Sequence, residues 1–174
     1  MKRRTLIISI ALHAVLLMIV YIFQSMIFPY LRLVGITPLL LPVISTGVAV
    51  QEGRDAGGIM GLFAGIFCDI SFNEPVGVFT VLLTFMGLII GTLADTIITR
   101  GFVTYFLSCT IVLLISAAVQ MFPLIFIRKI PLQPLLTTAF QQTVYSLLFT
   151  IPIWFFVRAL GKRAQRVSPS GRPL

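Results

Sequence analysis

Apolar residues run in six long stretches, at residues 5–28, 37–50, 56–70, 76–94, 102–127 and 135–157, and polar residues cluster between them. A helix crossing the hydrocarbon core of a bilayer needs about 20 residues. Six such spans take up about 120 of the 174 residues and leave only short loops and a tail. The pattern predicts an all-α polytopic membrane protein, a bundle of about six transmembrane helices forming one domain over residues 1–161. A basic tail at 162–174, rich in Ser, Pro and Gly, is expected to be disordered.

Two stretches are short. Residues 37–50 and 56–70 hold 14 and 15 residues, about 21–23 Å of helix against a core of about 30 Å. They are expected to be tilted, broken or buried among neighbours without fully facing lipid. Pro38 opens the second stretch and Pro42 lies inside it. Proline at membrane depth is tolerated where neighbours satisfy the freed carbonyl.

Composition agrees. The chain is 58% hydrophobic and 10% charged, with a mean hydropathy of +1.07, whereas a soluble domain carries roughly 25% charged residues. The net charge of +8 does not point to nucleic acid, because of where the cations sit. Lys2, Arg3 and Arg4 precede the first span, and Arg158, Lys162, Arg163, Arg166 and Arg172 follow the last, so eight of thirteen lie at the two ends. Such clusters fix topology beside an anionic cytoplasmic leaflet. With six spans and both termini inside, ten cations are cytoplasmic, including Arg54 and Arg100. Only Arg32, Arg128 and Lys129 fall outside. An odd number of spans would export the five tail cations, against the positive-inside rule. The first stretch is too long for a signal-peptide core and lacks a small-residue cleavage site, so it reads as a retained span.

The most informative spacing lies in the third and fourth spans. Gly57, Gly61, Gly65 and Asp69 recur at intervals of four, and the interval returns in Gly87, Gly91 and Asp95. Residues four apart share a helix face, and a face without side chains lets another backbone approach closely. The rows are expected either to pack spans together inside the chain or to receive another membrane protein. Asp69 falls near the outer interface, where it terminates a helix or hydrogen-bonds a neighbouring span. Asp95 falls near the inner one, where pairing with Arg100 and clustering with Glu52, Arg54 and Asp55 are expected.

Other polar residues carry weaker signals. His13 is the only histidine, so no histidine pair can build a metal site or a triad, and a packing role with one hydrogen bond is expected. Gln120, Gln141 and Gln142 are expected to bond across helices or to line a solute cavity. Tyr21, Tyr30, Tyr105 and Trp154 near span ends fit interfacial anchoring. Cys68 and Cys109 sit in apolar runs without metal or redox spacing. No P-loop, HExxH or GxSxG motif occurs. Neither catalysis nor a cofactor is expected.

The stretch from Glu52 through Gly53, Arg54, Asp55, Gly57, Gly61 and Gly65 to Asp69 and Ile70, followed by Pro75, Val76 and Gly77, resembles the rod-shape-determining membrane protein family MreD. That family shows a short charged inner loop, a glycine-rich span ending in Asp, and a turn with Gly. Gly61, Gly65, Asp69 and Gly77 are the matching positions. The resemblance is strong over residues 53–95 and elsewhere rests on hydropathy, length and the basic ends.

It implies a fold similar to the S-components of energy-coupling-factor transporters. It also implies a non-enzymatic component of the cell-elongation machinery, or elongasome, in the bacterial inner membrane. Such a protein binds the bitopic partner MreC and works beside MreB filaments, a RodA-type glycosyltransferase and a class B penicillin-binding transpeptidase. The fold likeness raises a rival, a vitamin-binding S-component. Against it, the AxxxA docking pattern of S-components is missing, since Ala11 is followed four on by Val15 and Ala14 by Met18. A third possibility is another small polytopic protein, such as a channel or assembly factor.

Overall fold

In a computed structural model, residues 2–26, 38–72, 77–96, 101–126 and 132–167 are described. They form seven helices and no strand: α1 Lys2–Met26, α2 Leu40–Glu52, α3 Arg54–Phe72, α4 Val78–Thr96, α5 Phe102–Phe126, α6 Leu132–Leu148 and α7 Thr150–Val167. Three, α1, α4 and α5, are long and apolar enough to cross a membrane. The bent pair α6–α7 makes a fourth if taken as one span. The expected all-helical membrane bundle is what the chain forms. The two short stretches become α2 and α3, and neither stands among those spans: α2 has 13 residues, and α3 carries Arg54, Asp55 and Asp69.

At the centre lies α2. Every residue from Leu40 to Val50 is buried, with α1, α3, α4, α5 and α7 packed around it. Pro42 is its third residue, a position where the missing N–H would have had no intrahelical partner. The Ser45 and Thr46 hydroxyls donate to the Pro42 carbonyl at 3.0 and 2.8 Å, so two polar groups in the core are satisfied locally. The Leu39 N–H at its entrance donates to Ser146 Oγ of α6 at 2.8 Å.

The sixth apolar stretch is not one helix. It divides at Phe149, and its two halves meet at 44°. Pro152 accounts for the break, since it has no N–H for the Leu148 carbonyl and its ring crowds that oxygen. The last turn of α6 tightens instead, with Phe149 N–H bonding the Ser146 carbonyl at 3.1 Å. At the other end α7 stays helical to Val167, so residues 162–167, expected in a disordered tail, continue the helix. Residues 168–174 lie outside the described residues.

Tyr105 and Trp154, expected at the membrane interface, belong instead to the core. They stack at 4.9 Å, with Tyr105 fully buried and its hydroxyl 3.4 Å from the Val43 carbonyl. Tyr21 likewise stacks on Phe67 at 4.7 Å, tying α1 to α3. Tyr30 is outside the described residues.

Candidate functional site

The glycine rows meet each other. The antiparallel helices α3 and α4 approach so closely that a Cβ added at Gly57 would stand 2.7 Å from the Gly87 carbonyl oxygen, and one at Gly65 2.7 Å from that of Phe79. At Gly61 it would strike the Leu83 carbonyl and at Gly87 the Gly57 carbonyl, in both cases closer than 3.0 Å. At Gly91 it would lie 2.6 Å from Arg54 Cα. Of the two expected uses, packing inside the chain takes up all five glycines. Backbone meets backbone along the seam, which allows weak Cα–H···O contacts and dense dispersion where lipid supplies no hydrophobic drive.

Each end of this hairpin is closed by an aspartate from the opposite helix. The buried Asp69, late in α3, receives the start of α4: Gly77 N–H at 2.9 Å, Thr80 N–H at 3.1 Å and Thr80 Oγ1 at 2.6 Å on Oδ2, and Phe79 N–H at 2.9 Å on Oδ1. These are orphan donors that a helix N-terminus presents, and the carboxylate also meets the positive end of the helix dipole. Asp95, late in α4, does the same for α3, with Oδ2 accepting from Arg54 N–H at 3.0 Å. A glycine with positive φ precedes each helix, Gly53 at 93° and Gly77 at 107°. At Gly53 a Cβ would also press into the Asp95 carboxylate, 2.6 Å from Oδ2. Two helices of 19 residues therefore cap one another.

Of the expected inner cluster, Asp95 and Glu52 find places against backbone. Glu52 lies beside α7, where a Cβ at Gly161 would come within 2.8 Å of its Oε1. The side chains of Arg54 and Asp55 are exposed. The expected pairing with Arg100 concerns a residue outside those described.

His13 is fully buried, with a carbonyl oxygen within hydrogen-bond range of each ring nitrogen. Its Nδ1 lies 2.8 Å from the Ser9 carbonyl and its Nε2 3.3 Å from the Val157 carbonyl of α7. It joins the first helix to the last. Gln120 Nε2 is buried without a hydrogen-bond partner among the described residues. Cys68 and Cys109 are buried free thiols, and Cys109 Sγ faces the Val43 carbonyl at 3.9 Å.

Compared with protein-family models, curated proteins and solved structures, the chain matches none.

Sequence reasoning gave no sign of a lateral groove between α1, α2 and α7. It encloses about 410 Å³, and only apolar residues line it, among them Leu16, Ile19 and Phe23 of α1, Ile44 of α2, and Ile153 and Phe156 of α7. The α6–α7 break forms one edge, through Phe149 and Pro152. A polar solute finds no hydrogen-bonding group there, whereas the side chains of an apolar helix do find matching surface. The groove is a product of the break, which the uninterrupted apolar run conceals.

Proposed function

We propose that this chain is a non-enzymatic scaffold of the bacterial cell-elongation complex. It holds an MreC-type bitopic protein in the cytoplasmic membrane and thereby takes part in cell-shape control and side-wall peptidoglycan synthesis. Both termini face the cytoplasm. A RodA-type glycosyltransferase, a class B penicillin-binding transpeptidase and MreB filaments are its working neighbours. On this reading, the S-component-like bundle that the MreD resemblance implies is put to a structural use.

The observation that carries this reading is the groove between α1, α2 and α7. The MreD-like residues Gly61, Gly65, Asp69 and Gly77 are occupied in building a rigid hairpin, so the partner's span needs another surface. The groove is apolar, faces sideways, and is flanked by exposed Ile19 and Phe156. These are the properties that a single apolar transmembrane helix recognises.

Co-purification of the tagged chain in mild detergent, followed by mass spectrometry, tests the reading. Recovery of an MreC-type protein is expected. Ile19→Trp, at a position 57% exposed, fills the groove without entering the core and is expected to lower that recovery about tenfold. Recovery of an ATPase module or a tightly held small molecule would replace the scaffold with a transport function.

A further inference from the structure

Helix α6 carries a polar group where a membrane offers it nothing. Gln133, Thr137, Gln141, Val144 and Leu148 are all exposed, and at 100° per residue they fall within one narrow face. The Thr137 hydroxyl is satisfied inside the helix, on the Gln133 carbonyl at 3.1 Å. The neighbouring Thr138 hydroxyl bonds the Pro134 carbonyl at 2.9 Å. The Gln141 amide has no hydrogen-bond partner among the described residues. It borders a shallow concavity of about 300 Å³ with Phe140, Val144, Tyr145 and Leu148.

Depth makes this costly. Helices α5 and α6 pack together on either side of the short connection 127–131. Ser146 of α6 meets Leu39, and Val43, one helical turn further along α2, meets Tyr105 and Cys109 of α5, which sets Gln141 level with roughly residue 116 of α5, inside the apolar window Phe102–Phe122. An amide there has no water, and acyl chains neither donate nor accept.

We propose that this face of α6 pairs with α6 of a second copy of the chain, and that Gln141 bonds Gln141 of that copy across a twofold axis. Three features favour a second copy. A carboxamide carries both donor and acceptor, so it complements itself when a twofold axis sets it opposite its own image. Two copies inserted with the same topology present α6 in parallel, which places identical positions face to face. The spacing 137, 141, 144, 148 is the four-three-four repeat of a left-handed helix pair, in which one polar residue fixes register.

Cysteine scanning of the full chain in phosphatidylethanolamine–phosphatidylglycerol vesicles tests this, with Cys68 and Cys109 kept because they are buried. Oxidation should link Val144→Cys and Leu148→Cys into disulfide dimers and leave Leu135→Cys and Ala139→Cys, which point away, monomeric. Energy transfer between labelled copies should show Gln141→Leu weakening the dimer about three- to fifteenfold and Gln141→Asn retaining most of it. Position 141 is exposed, so the leucine variant stays folded and suits lipid. Uniform or absent cross-linking, equal dimerisation of Gln141→Leu and wild type, or cross-linking in native membranes only to a different protein would overturn the pairing. The vesicle assays use the purified chain alone, so their failure leaves the scaffold reading standing, and loss of the MreC-type partner leaves the dimer standing.

Discussion

Asp69→Ala is expected to lower the stability of the purified protein by about 3 kcal/mol or more, the largest effect of any single side-chain deletion outside the glycine seam. The alanine leaves the N–H groups of Gly77, Phe79 and Thr80 without their acceptor, and each buried unsatisfied donor costs about 1–3 kcal/mol. Asp69→Asn separates charge from geometry. Its one carbonyl oxygen can keep the three bonds now made to Oδ2, but its NH2 then faces the Phe79 N–H, donor against donor. A loss of about 1.5–3 kcal/mol follows for the amide variant. Thermal unfolding in detergent, followed by circular dichroism, gives the order wild type, Asn, Ala. Equal stability of wild type and alanine would mean that α4 is capped by something other than Asp69.

Gly61→Ala and Gly65→Ala are the second large perturbation, expected to cost about 1–3 kcal/mol each, and Gly61→Leu is expected not to accumulate as folded protein. The reason is what the new atom meets. At both sites the obstacle is backbone of α4, around Leu83 or Thr80, which cannot rotate away as a side chain can. Gly77→Ala is the informative control. Nothing stands within 4 Å of its added Cβ, so only the φ of +107° opposes it, at about 1–2 kcal/mol. Detergent-resistant fluorescence of tagged variants on size exclusion ranks the three. If Gly61→Ala proved neutral, α3 and α4 would have to stand further apart than they do here.

Much of this hairpin was legible in the residues alone. The interval of four in Gly57, Gly61, Gly65 and in Gly87, Gly91 marked two bare faces, and Asp69 and Asp95 stood out as charges at the ends of apolar spans. That the faces meet each other was one of two open possibilities, because periodicity identifies a surface and not its occupant. The reciprocal capping was out of reach, since it depends on antiparallel register between residues as far apart as Arg54 and Asp95. Tyr105 and Trp154 were misplaced for a related reason: aromatic residues near a span end look alike whether they face headgroups or a buried neighbour. The break at Phe149 was hidden because Pro152 interrupts hydrogen bonding without interrupting hydropathy, and the groove was lost with it. Gln141 was singled out by type, but only the exposed face of α6 distinguishes it from Gln142, which is half-buried.

The burial of α2 also governs the order in which the molecule can be made. Its 13 residues extend about 20 Å, too short to lodge alone across a bilayer. Part of its sheath comes from α7, late in the described chain, where Val157 packs beside Gly47. The emerging chain must therefore hold one side of residues 40–52 uncovered until α7 leaves the ribosome. A truncation just before Thr150 would leave that side of the segment bare, and such products should be prime substrates for membrane proteases.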